Sequence, residues 1–150
     1  MTETRDAVQR RVPWHFWLVC VVAVLWNGFG AYDFTMSLIQ GDAYFETMGM
    51  TQAQIAAYHQ APSWSIAVWA LGVWGSVAGS VMLVMRSRYA LHAFIASLAG
   101  LVLSLIYTHL LSNWGELAGQ MGMIMNAVIF AGCVFFVWYA RAATRWGILR

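Results

Sequence analysis

Asp33 stands alone in the stretch LWNGFGAYDFTM, residues 25–36, a single carboxylate inside an otherwise apolar run. An ionised carboxylate facing lipid is costly, whereas one facing other helices or a wet cavity is tolerated and can bind a cation, relay a proton or fasten helices together. On a helix, Asp33 shares a face with Trp26, Gly30 and Ser37, at offsets of seven, three and four. The small residues on that face suit it to meet other helices. Tyr107, His109 and Asn126 fall at matching depth in later apolar runs. The chain thus offers an outward-facing polar group of Asp33, Tyr107, His109 and Asn126, which reads either as hydrogen bonding that fixes the helices or as a binding or proton-handling site.

His15 and His92 form a second pair, at comparable depth near the opposite ends of their runs. Two histidines so placed could ligate a haem between helices, but interface histidines are common and no C-x-x-C-H motif provides covalent attachment. Cys20 and Cys133 lie within apolar runs without CxxC spacing, so they read as reduced packing residues rather than a disulfide or zinc site. The chain shows no nucleophile-base-orienter set, phosphate loop or metal-ligand spacing. The expectation is a protein that is not an enzyme, with no cofactor and no metal.

The elements that must position these residues follow from composition. Hydrophobic residues make up 61 % of the 150-residue chain and charged ones 9 %, against roughly half and about a quarter in soluble domains. Four stretches are long and apolar enough to cross ~30 Å of hydrocarbon, which takes about 20 residues. They are residues 13–39, 63–85, 89–111 and 121–140. Lipid cannot satisfy open backbone groups, so the spans are helices. The predicted fold is all-α, a single integral membrane four-helix up-and-down bundle with short loops, and the lipid bilayer is its first partner.

Charge gives the threading. All eight basic residues are Arg, at 5, 10, 11, 86, 88, 141, 145 and 150, and in a four-span topology all fall on one side. By the positive-inside rule, both termini and the turn RSR are cytoplasmic. A net charge of +2 is no footprint for nucleic acid, which needs a dense basic face. The first apolar run exceeds a signal-peptide core and lacks a following A-x-A site, so it reads as a retained span. Trp14, Trp17, Trp138 and Tyr139 suit the inner aromatic belt, and Trp64 and Trp114 the outer one. In the outer loop, residues 41–62, Thr51 and Gln54 match a capping box that opens a short interfacial helix over about 51–60. That helix either closes the loop down or forms a lid over a site.

The second span carries small residues at four-residue spacing, Gly72, Ser76 and Ser80 on one line and Gly75 and Gly79 on another. Gly100 lies with Ala96 and Ser104 on the third span. Small residues so spaced let helices approach closely in lipid. They predict tight packing of the second span on the third, or a seam between copies of the chain.

WNGFGAYDF in the first span, PSWSIAVWALGVWGSVAGSVMLVMRSRYALHAFIASLAG across the second and third, and the ending YARAATRWGILR together resemble a group of short bacterial inner-membrane proteins. That group shares a WNxxGAxD element, a P-x-W followed by a W-A-x-x-V-W-G run with GS, an Arg-rich turn and a YAR…G-x-LR tail. The resemblance covers most of the chain and implies a four-span topology in the bacterial inner membrane. The sugar-transporter label sometimes attached to the group carries no mechanism. Two functional classes are therefore expected: a small transporter-like or ligand-binding protein built around Asp33, or a structural or accessory subunit packed on a larger membrane partner or on its own copies.

Overall fold

The computed structural model describes residues 12–150; Arg5, Arg10 and Arg11 of the charge pattern lie outside them. The chain runs α1 (Trp14–Ile39), α2 (Asp42–Thr47), α3 (Gln52–His59), α4 (Ser63–Val84), α5 (Ala90–Ile106), a π turn (Tyr107–Leu111) and α6 (Trp114–Arg145). No strand occurs among the described residues. With the π turn counted into the third, four helices are long and apolar enough to cross a membrane.

Local chemistry explains where the helices begin and end. Pro13 and Pro62 each precede a span, at a position where the missing N–H would have had no helical acceptor. Gly41, with φ +53°, turns the chain out of α1, and Gly147, with φ +71°, turns it out of α6. α6 reaches seven residues further toward its start than the predicted span at 121–140. It does so through a kink at Gly119, whose φ of +62° and ψ of −164° only glycine adopts readily.

α4 is the centre of the packing. An ideal Cβ on Gly100 of α5 would lie 2.7 Å from the Gly72 nitrogen, and one on Gly75 would lie 3.2 Å from the Ser97 backbone. The Ser97 hydroxyl also donates to the Gly72 carbonyl at 2.6 Å. Gly79 meets the Phe94 ring on the same side. The other side of α4 holds α1: buried Asn27 donates from Nδ2 to Ser80 Oγ at 2.8 Å, and Ser80 Oγ lies 3.2 Å from the Ala23 carbonyl and 2.8 Å from that of buried Ser76. The line Gly72, Ser76 and Ser80 read in the sequence is therefore divided. Its glycine joins Gly75 and Gly79 against α5, and Ser80 serves α1.

The main core fills one end of the bundle, where Phe16 and Cys20 of α1, Leu83 of α4, Phe94 of α5 and Phe136 and Tyr139 of α6 meet. Ile148 and Leu149, beyond α6, fold back into it. A separate small core of Tyr44, Phe45 and Ile55 lies at the other end, packed with Met36, Met50 and Tyr58. Between Trp114 and Phe135, α6 buries none of its side chains. Along that half a shallow apolar groove of about 320 Å³ separates it from Val22 and Trp26 of α1.

Candidate functional site

Asp33 is half-buried near the end of α1, and its Oδ1 accepts a hydrogen bond from the Tyr44 hydroxyl at 2.8 Å. The turn at Gly41 folds α2 back along α1, which brings Tyr44 into reach across eleven residues. Tyr44 is only 7 % exposed and packs against Phe45 and edge-on to Tyr32. Asp33 Oδ2 has no hydrogen-bond partner among the described residues. The same holds for any cation: the one ion pair among them joins His59 to Asp42.

α2 and α3 form a cover over this end. The Thr51 hydroxyl accepts from the Gln54 N–H and the Gln54 side chain accepts from the Thr51 N–H, a complete capping box at the start of α3. Gln54 then donates from Nε2 to the Leu117 carbonyl at 2.9 Å, tying α3 to α6. His59 and Asp42 meet at 2.7 Å, both largely exposed, and so tie α3 to α2 only weakly. Beneath the cover, Tyr58 packs on Phe45 at 4.5 Å and edge-on to Trp69, which in turn meets Phe34 at 4.7 Å. The Tyr58 hydroxyl is buried without a hydrogen-bond partner among the described residues. An orphaned buried hydroxyl carries a desolvation cost that a bound water or ligand would relieve.

Burial, then the hydrogen bond to Asp33 and its negative charge, push the Tyr44 hydroxyl up to about 12 from 10. Burial and the Asp33 charge raise Tyr58 as well. A phenol whose folded value lies above its unfolded one contributes stability that is complete below the unfolded value and is lost as pH rises through the folded one. The cover is therefore expected to loosen between about pH 10 and 12. Hydrogen exchange of α2 and α3 against pH measures this, and Tyr44→Phe should remove most of the dependence.

The four residues grouped in the sequence do not come together. Tyr107 packs edge-on against Trp64 at 5.2 Å. Exposed His109 faces Asn126 at 3.5 Å, the long limit of a hydrogen bond. Asp33 bonds neither of these nor Asn126. The physical reason is that α1 packs on α4, while Tyr107, His109 and Asn126 belong to the α5–α6 side; equal depth in a bundle is not adjacency. His15 and His92 are both exposed and take different aromatic neighbours, His15 beside Tyr139 and Trp146, His92 beside Tyr89. Among the described residues no cluster of three or more His, Cys, Asp or Glu side chains could hold a metal ion.

Tyr44, Tyr58 and Trp69 are the site residues that the sequence reading missed. For Tyr44 the available signal was the run AYFET, residues 43–47, whose two adjacent aromatic residues are an apolar cost in a loop unless they are buried. The chain matches no protein-family model, no curated protein and no solved structure. Function is thus argued from the fold and from the side-chain geometry around Asp33.

Proposed function

We propose that this chain is a multi-pass protein of the bacterial inner membrane that binds a small ligand at its outer end, at Asp33 beneath the α2–α3 cover, as a transporter-like or receptor-like protein. The observation that carries this reading is a half-buried carboxylate at a span end, held by one tyrosine hydroxyl, with its second oxygen unbonded and no cation opposite it among the described residues. A carboxylate kept in such a position is a functional candidate by default. The reading is tested by complementing a deletion strain with Asp33→Asn, which should fold normally and lose the phenotype. An Asn variant that is stable and fully active removes the charge-dependent site.

The arginine pattern supports one orientation, with the segment before the first span, the RSR turn at residues 86–88 and the segment after the fourth span on the cytoplasmic side. Reporter fusions after Arg88 and Arg150 should then report cytoplasm, and fusions at Thr51 and Glu116 should report periplasm. A cytoplasmic signal at Thr51 overturns the outward-facing site.

A second reading, an accessory subunit of a larger membrane complex, is favoured by the outer half of α6, where Met121, Met123, Ile124 and Met125 are all more than half exposed. Purification in mild detergent followed by mass spectrometry separates the two. A stoichiometric larger partner supports the accessory reading.

A further inference from the structure

Resting on the reading of Asp33 as a ligand site, we propose that the ligand is a lipophilic cation, a single-chain alkylammonium whose charge pairs with the carboxylate and whose tail lies along α1 in the groove facing α6. Trp26, Phe29 and Asp33 follow Val22 at offsets of four, seven and eleven, so the four residues line one face of α1. Two shallow hollows meet on that face. One, of about 370 Å³, is lined by Val22, Leu25, Trp26 and Phe29. The other is the groove of about 320 Å³ that Val22 and Trp26 share with Val128 and Gly132 of α6. No charged residue lines either. The face is open because α1 and α6 share the inner core through Phe16 and Phe136, whereas the outer half of α6 buries none of its side chains. At Gly132 the nearest atom that a Cβ would meet is Trp26 Nε1, at 3.7 Å.

Charge complementarity selects the occupant. The apolar face ends one turn beyond Phe29 on a carboxylate whose Oδ2 has no hydrogen-bond partner among the described residues. Along the helix, Trp26 lies about 10.5 Å from Asp33 and Val22 about 16.5 Å, at ~1.5 Å per residue, which is the reach of an alkyl chain. An inorganic cation would use the carboxylate and leave the face uncovered. A neutral lipid would cover the face and leave the charge unpaired. An alkylammonium does both, and in the adjoining leaflet it carries its charge at the headgroup level and its chain inward, the same order as Asp33 and the groove.

The test uses the full chain in phosphatidylcholine nanodiscs and a dodecyltrimethylammonium that carries a photoactivatable diazirine on its tail. Crosslinks mapped by mass spectrometry should fall on residues 22–29 of α1 and 128–135 of α6, and unlabelled dodecyltrimethylammonium should displace them where dodecanol does not. Asp33→Asn should weaken the labelling about tenfold, the loss of one charge-assisted contact. Gly132→Leu and Val128→Trp, which fill the groove from the α6 side, should each weaken it about fivefold at an unchanged melting temperature. Radiolabelled butyltrimethylammonium, too short for the groove, should bind both variants as it binds wild type. Crosslinks spread over all four spans, or groove variants that label like wild type, overturn the tail site and leave the Asp33 reading standing. Labelling that Asp33→Asn leaves unchanged, or that dodecanol displaces equally, overturns the cation. Failure of the Asp33 reading itself shows separately, as an Asn variant that complements the deletion strain.

Discussion

Gly100→Leu is expected to cost the bundle about 3 kcal/mol or more, the upper end of what overpacking a close contact costs. The expectation rests on what a side chain there would meet: the Gly72 nitrogen at 2.7 Å, the Gly72 Cα at 3.0 Å and the Val68 carbonyl oxygen at 3.0 Å. All three are backbone atoms, so no rotamer change makes room, and α4 and α5 must separate. Separation also breaks the bond from Ser97 to the Gly72 carbonyl. Gly79→Ala should cost less, because its nearest neighbours are ring atoms of Phe94, which can shift against Phe136. Gly28→Ala is the control. Nothing lies within 4 Å of its added Cβ, and removing a helix-interior glycine should gain about 0.5–1 kcal/mol. Denaturant titration in detergent, read by circular dichroism, orders the three; a Gly100→Leu protein as stable as wild type would mean that the helices are not in backbone contact.

Asp33 variants are expected to separate fastening from binding. Asp33→Asn keeps an oxygen able to accept from the Tyr44 hydroxyl, so its stability should stay close to wild type. Asp33→Leu leaves that hydroxyl buried and unpaired beside an already orphaned Tyr58, at about 1–3 kcal/mol. Tyr44→Phe removes the donor instead and leaves a half-exposed carboxylate that water can serve, so it should cost less than Asp33→Leu. If the carboxylate only latches α2 to α1, function in a deletion strain follows stability, with Asn active and Leu impaired. If its charge holds a ligand or moves a proton, Asn is stable and inactive, because the titratable group is gone while the shape remains. Full activity in the Asn variant sinks the ligand site. A cysteine at position 33 that a water-soluble maleimide cannot label from the outer side would count against it as well.

How much of this was written in the sequence differs between elements and sites. The helical class and the four long apolar helices were legible because they depend on composition over about 20 residues, and lipid leaves the backbone little choice. The start of α3 was legible because a capping box is closed within three residues, Thr51 to Gln54. Small residues on α4 announced close packing, yet which helix each line would meet was not legible. That depends on the rotation of α4 about its axis, and the rotation was decided jointly by Gly72 and Gly100 in backbone contact on one side and by Asn27 reaching Ser80 on the other.

The Asp33 surroundings were the least legible part. Depth along a span can be counted at ~1.5 Å per residue, and that count grouped Tyr107, His109 and Asn126 with Asp33, but it carries no information on which helices are neighbours. The partner of Asp33 came instead from α2, through a turn at Gly41 with positive φ. The chain alone determined that a lone carboxylate would lie near the end of the first long apolar run. Only the tertiary structure decided that Tyr44 would hold it and Tyr58 would be buried nearby, because helix adjacency is set by the sum of many contacts across the bundle and by no single stretch of residues.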